Sequence, residues 1–277
     1  MEFIQNVLCG LIIGVANIIP GVSGGTMAVV LGIYDKLIAA IGGLFSDFKN
    51  NLLLLIPVGI GGGIGILMFS KLIQFLLAIY PMATNFFFLG LIAGSIPMIY
   101  KRAVNGKLRL PHIVSLLCSF AIMMALTFAF TVSGSNEILR TLDITVIFRL
   151  IICSAVAAAC MILPGVSGSM VLMLLGVYMS VLTAISELNI VFLIPVIIGV
   201  AIGILGGAKI IKACLNRAPQ VTYCAILGLI IGSLFPVFFN AGFVFNLQGI
   251  AALAALLAGT VVSILLSKLQ KNIQPSK

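Results

Sequence analysis

The residues best placed to do chemistry lie in two near-copies of one phrase, IIPGVSGGTMAVVLGIY at 18–34 and ILPGVSGSMVLMLLGVY at 162–178. Proline and glycine interrupt a helix, so backbone N–H groups at each break lose their intrahelical partners. The residues that follow, Gly24-Gly25-Thr26 and Gly168-Ser169-Met170, begin a new helix. Its first N–H groups and the positive end of its dipole attract an anion. Ser23, Thr26, Ser167 and Ser169 add hydroxyl donors, while Gly21, Gly24, Gly25, Gly165 and Gly168 let a ligand come close to the backbone. The chemistry on offer is recognition of a phosphate or a carboxylate. A tight turn that lets helices pack is the plainer reading of one such break, and two breaks in matched positions favour binding.

These breaks sit in a membrane protein. Of 277 residues, 62% are hydrophobic and 8% charged, with a mean hydropathy of +1.33. That is too little charge to cover a soluble surface, and many windows supply the roughly 20 apolar residues a spanning helix needs. Glu2 and the lack of a basic leader speak against a cleavable signal peptide. The formal charge of +9 follows from bilayer topology, so no nucleic-acid partner is expected. The six cysteines form no CxxC pair and read as packing residues, and His112, the single histidine, reads as interfacial. No metal site and no cofactor are expected.

The duplication extends beyond the two phrases. LLLIPVGIGGGIGILMFSKLI (53–73) matches VFLIPVIIGVAIGILGGAKII (191–211), pairing Pro57 with Pro195 and Lys71 with Lys209. YPMATNFFFLGLIAGSIP (80–97) matches APQVTYCAILGLIIGSLFP (218–236). The expected organisation is a first repeat over 1–111, with a broken segment at 6–45 and helices at 52–69 and 84–100. A connecting helix follows at 112–132. A second repeat covers 133–240, with a broken segment at 144–185 and helices at 190–208 and 221–239. A helix and basic tail fill 241–277.

Positive charge decides how the broken segments sit. If both enter the membrane and turn back, and the N-terminus is cytoplasmic, all but Lys71, Arg140 and Arg149 of the 15 basic residues face the cytoplasm. Three crossings then separate the hairpins, so they open to opposite sides. The expected fold is an all-α polytopic membrane protein of two inverted repeats, each with a re-entrant hairpin, plus six transmembrane helices and both termini cytoplasmic. Arg149 at the mouth of the second hairpin, and Lys71 and Lys209 on opposite faces, are candidates to attract an anionic headgroup. Snorkelling at helix ends is their bland alternative.

The paired phrases at 17–38 and 161–178 resemble the bacterial polyprenyl-phosphate transporter family, and the likeness spans the whole chain. Residues Pro20 to Thr26 and Pro164 to Met170 are its hallmark. The resemblance implies return of undecaprenyl phosphate from the outer to the inner leaflet of the cytoplasmic membrane, for reuse in cell-wall synthesis. Alternating access at the two tips would be the mechanism. The chain has no GxxxxGK[ST] motif, so drive would come from consumption of the lipid inside or from a coupling ion, a proton or sodium. A transporter of a small soluble anion would use the same tips. A membrane-embedded lipid phosphatase needs a nucleophile with a base or a metal cluster, which one histidine and six acidic residues supply poorly.

Overall fold

The computed structural model describes residues 2–17, 23–104, 108–132, 139 and 142–273. Among them are twelve helices, arranged as six and six. The first half runs α1 (Glu2–Asn17), α2 (Gly24–Val30), α3 (Tyr34–Gly42), α4 (Phe48–Ile79), α5 (Pro81–Ala103) and α6 (Leu110–Val132). The second runs α7 (Ile144–Ile162), α8 (Gly168–Leu174), α9 (Tyr178–Ser186), α10 (Ile190–Arg217), α11 (Pro219–Ala241) and α12 (Leu247–Ile273). The helices that sequence alone places at 112–132 and 247–267 are α6 and α12. Each packs along the fifth helix of the other half, α12 on α5 and α6 on α11.

Among the described residues, seven helices are long and apolar enough to cross a membrane, one more than the six expected. The addition is α7, whose 19 residues suffice by length, whereas its counterpart α1 has 16. The chain is a multi-pass membrane protein. Helices also outrun the apolar windows. Instead of ending at 69 and resuming at 84, α4 and α5 meet at Tyr80, where Pro81 opens α5 at a position that needs no N–H donor. At about 1.5 Å per residue, the 32 residues of α4 exceed the hydrocarbon thickness.

Lipid offers no hydrophobic drive for helix pairing, so close backbone approach supplies it. A Cβ added at Gly61 would lie 1.9 Å from the Val7 carbonyl oxygen, and one at Gly65 2.3 Å from that of Leu11. The GIGGGIG stripe therefore seats α4 directly on the backbone of α1. The second half repeats the device with Gly199 against Ile151 and Gly203 against Ala155. Gly61→Ala should cost about 3 kcal/mol, the upper end for overpacking, because carbonyl oxygens cannot step aside. Gly63→Ala, which meets open space, should instead gain up to about 1 kcal/mol of helix propensity. Thermal unfolding in detergent separates the two.

The short helices turn at matched glycines. Gly32 (φ 61°) and Gly176 (φ 72°) take the left-handed conformation. The next residues, Ile33 and Val177, donate back to Ala28 and Leu172. This is the glycine cap that ends a helix while satisfying its last carbonyls.

Candidate functional site

The two breaks meet. At the first, Ser23 is extended (φ −103°, ψ 146°) and caps α2, its Oγ accepting from Thr26 N–H at 3.1 Å. Gly24 N–H donates to Asn17 Oδ1 at 2.9 Å, which ties the new helix to the end of α1. The Ser23 and Thr26 hydroxyls are 2.9 Å apart. From the second break, the Gly165 N–H reaches both of them, at 2.7 Å to Thr26 Oγ1 and 3.0 Å to Ser23 Oγ.

Glycine is needed at 165 for two reasons. Its φ of +89° disfavours any side chain. An added Cβ would also lie 2.9 Å from the Leu229 carbonyl oxygen and from Ser233 Cβ on α11. Gly25 completes the contact, since a Cβ there would come within 2.9 Å of the Ile162 carbonyl oxygen.

Though nearly identical in sequence, the tips differ in access. Ser23 and Thr26 are 3% and 0% exposed, their hydroxyls engaged by the opposite tip. Ser167 is half-buried and Ser169 exposed. Their hydroxyls bond to each other at 2.8 Å, and Ser167 does not cap α8 with its side chain. Gly24 is buried, and Gly25 and Gly168 are half-buried. Gly21 lies outside the described residues.

The three basic candidates do not join the tips. Lys71, Lys209 and Arg149 are all exposed. Arg149 sits one helical turn before the buried Cys153. None forms an ion pair among the described residues. Asp143 is the N-cap of α7: Oδ1 accepts from the Thr145 hydroxyl at 2.7 Å and from Val146 N–H at 2.8 Å. Those bonds hold its carboxyl below the usual carboxylate range, as suits a helix cap that stays charged. His112 is buried and satisfied, its Nδ1 accepting from the Arg109 N–H at 2.9 Å before α6 begins.

The strongest polar cluster escapes sequence reasoning. Asp35, in the first turn of α3, pairs with Arg102 of α5 at 2.8 Å. Tyr223 of α11 donates its hydroxyl to the same carboxylate oxygen. Arg102 also donates to the Tyr223 oxygen at 3.1 Å and stands 5.7 Å from the ring centroid. One carboxylate thus ties three helices from both halves. The other oxygen of Asp35 and the Tyr34 hydroxyl are buried with no hydrogen-bond partner among the described residues. Asp35 could have been singled out as the charge closing an uncharged run of 32 residues, 3–34. Its partners, 67 and 188 positions away, could not.

Comparison with known proteins places this architecture. The family described as VCA0040-like, undecaprenyl phosphate translocase-like, matches residues 13–249. A Staphylococcus aureus protein named polyprenyl-phosphate transporter is 35% identical over 95% of this chain and 96% of its own. A Vibrio cholerae protein of the same name is 32% identical over 84% of this chain and 77% of its own. No solved structure matches. With both broken phrases and nearly the whole helical bundle inside the matched span, the chain belongs to the undecaprenyl phosphate translocase-like family.

Proposed function

We propose that this protein moves polyprenyl phosphate from the outer to the inner leaflet of the bacterial cytoplasmic membrane, returning the carrier lipid for cell-wall synthesis. One observation carries the reading. Two glycine-rich helix breaks, one from each half, interlock through Gly165, Ser23 and Thr26 inside an apolar bundle, while Ser167 and Ser169 stay open. The names of the two relatives support the substrate.

A phosphate cannot cross hydrocarbon alone, because burying its charge without partners costs many kcal/mol. Hydroxyls and unpaired N–H groups at the breaks replace part of its hydration shell. The polyprenyl tail stays in the bilayer as the headgroup passes. In this reading the broken segments are re-entrant hairpins opening to opposite sides, and both termini are cytoplasmic. Access alternates between the tips. The protein is a transporter and not an enzyme, driven by inner-leaflet consumption of the lipid or by a proton or sodium gradient.

The test is translocation of a labelled polyprenyl phosphate in proteoliposomes. The native protein should move it faster than protein-free vesicles, and free inorganic phosphate should neither be taken up nor compete. Uptake of inorganic phosphate without lipid translocation would overturn the reading in favour of a soluble-anion transporter.

A further inference from the structure

Helices α3 and α9 occupy matched places in the chain but unmatched surroundings. α3 is wedged where α10 ends and α11 begins. A Cβ on Gly42 would lie 2.9 Å from the Ala208 carbonyl oxygen, Lys212 Nζ donates to the Ala39 carbonyl at 3.3 Å, and Tyr223 bonds Asp35. The equivalent wedge in the first half lies between the end of α4 and the start of α5, around Ser70 and Asn85. No helix fills it. Phe69, Ile73, Thr84 and Phe88 instead line an apolar cavity of about 630 Å3 that reaches Met27 on α2.

The missing helix has the matching face. α9 carries Met179, Leu182 and Ile185 on one stripe, all exposed. Their counterparts on α3 are Asp35, Ile38 and Ile41, of which Ile38 is 2% exposed. The location fits as well. α3 sits just before the start of α4 and against the end of α10. These two long helices therefore run in opposite directions past it. The start of α10, to which α9 is tied by three residues, lies at the same end as the cavity.

We infer that α9 is a lid, and that its seat is the apolar cavity between α4 and α5. In this structure α3 is docked on the other half and the first tip is shut, while α9 packs on its own half, with Val181 and Ala184 buried beside α7 and α10, and Ser169 is exposed. In the opposite state α9 fills the cavity with Leu182 and covers the second tip. The inference rests on the alternating-access reading above and names the element that closes one side.

The test is thiol cross-linking in membranes, in a variant whose six cysteines are replaced. Met179→Cys with Ala83→Cys places one thiol on the exposed stripe of α9 and the other on the half-buried cavity wall. A short bifunctional thiol reagent should link this pair. Leu182→Lys should lower both the yield and lipid translocation about fivefold, and Leu182→Met should preserve both. Gel filtration verifies that each variant stays folded, because an exposed side chain of a membrane protein can face lipid, where a charge is costly. Absence of the link in protein that still translocates lipid would overturn the lid, as would a link indifferent to Leu182→Lys. A normal link in native-like protein that moves no lipid would leave the lid standing and remove the transport reading instead.

Discussion

Replacing both first-tip hydroxyls, Ser23→Ala with Thr26→Val, should lower lipid translocation by more than tenfold and destabilise the protein. Neither change adds bulk. What is lost is the pair of acceptors for the Gly165 N–H and the cap on Thr26 N–H. Both donors are buried between the tips, where water does not replace the missing oxygen. An orphaned buried donor costs about 1–3 kcal/mol, and each 1.4 kcal/mol is tenfold in a population or rate. The matched double change at the open tip, Ser167→Ala with Ser169→Ala, orphans no described backbone donor, because among the described residues these hydroxyls bond only each other. It should leave thermal stability within about 0.5 kcal/mol, as surface substitutions do. Its translocation should still fall, in the signature of weaker headgroup binding: a higher half-saturating lipid fraction with an unchanged maximal rate. Equal stability losses in the two doubles would mean that the tips are not interlocked as described.

The contrast shows what a sequence can and cannot convey about such a site. The breaks were legible because proline, glycine and hydroxyl residues are conspicuous in an apolar run, and because the phrase recurs. That the tips touch was legible only as a consequence of the expected topology. That one is shut and the other open was not legible, since PGVSGG and PGVSGS carry nearly the same chemistry. What distinguishes them lies outside the two phrases, in neighbours such as Asp35, whose counterpart is Met179.

The fold divides similarly. Hydropathy located the long helices, but not their ends. It measures compatibility with lipid, and a helix such as α4 continues past Lys71 as long as its backbone bonds are kept. The exchange of α6 and α12 between halves was hidden for another reason. Their pairing rests on contacts such as Gly90 against Leu256, Gly259 against Phe87 and Gly228 against Leu116. A glycine announces that something comes close, but not which helix.

Asp35→Ala should shift the balance between the two states about tenfold, towards the lid-closed one. The carboxylate accepts from Arg102 and Tyr223 and so fastens α3 to α5 and α11 together. Hydrogen bonds to a charged group are worth about 1.5–3 kcal/mol when shielded. Here the Asp35 and Arg102 side chains are both 41% exposed, and an exposed pair alone gives at most about 1 kcal/mol. The tyrosine bond and the half-buried carboxylate raise the sum to about 1.4 kcal/mol, a factor of ten. α9 has Met179 where α3 has Asp35, so no matching fastener exists on the other side. On the lid inference the two states are therefore held unequally, this cluster favouring the one with a shut first tip. Added to the cysteine pair at 179 and 83, Asp35→Ala should raise the initial rate of cross-linking by about that factor. Arg102→Gln, which keeps a hydrogen-bond donor but not the charge, should raise it less. An unchanged rate in both would mean that the shut first tip is held by the Gly42–Ala208 packing and the tip hydroxyls alone.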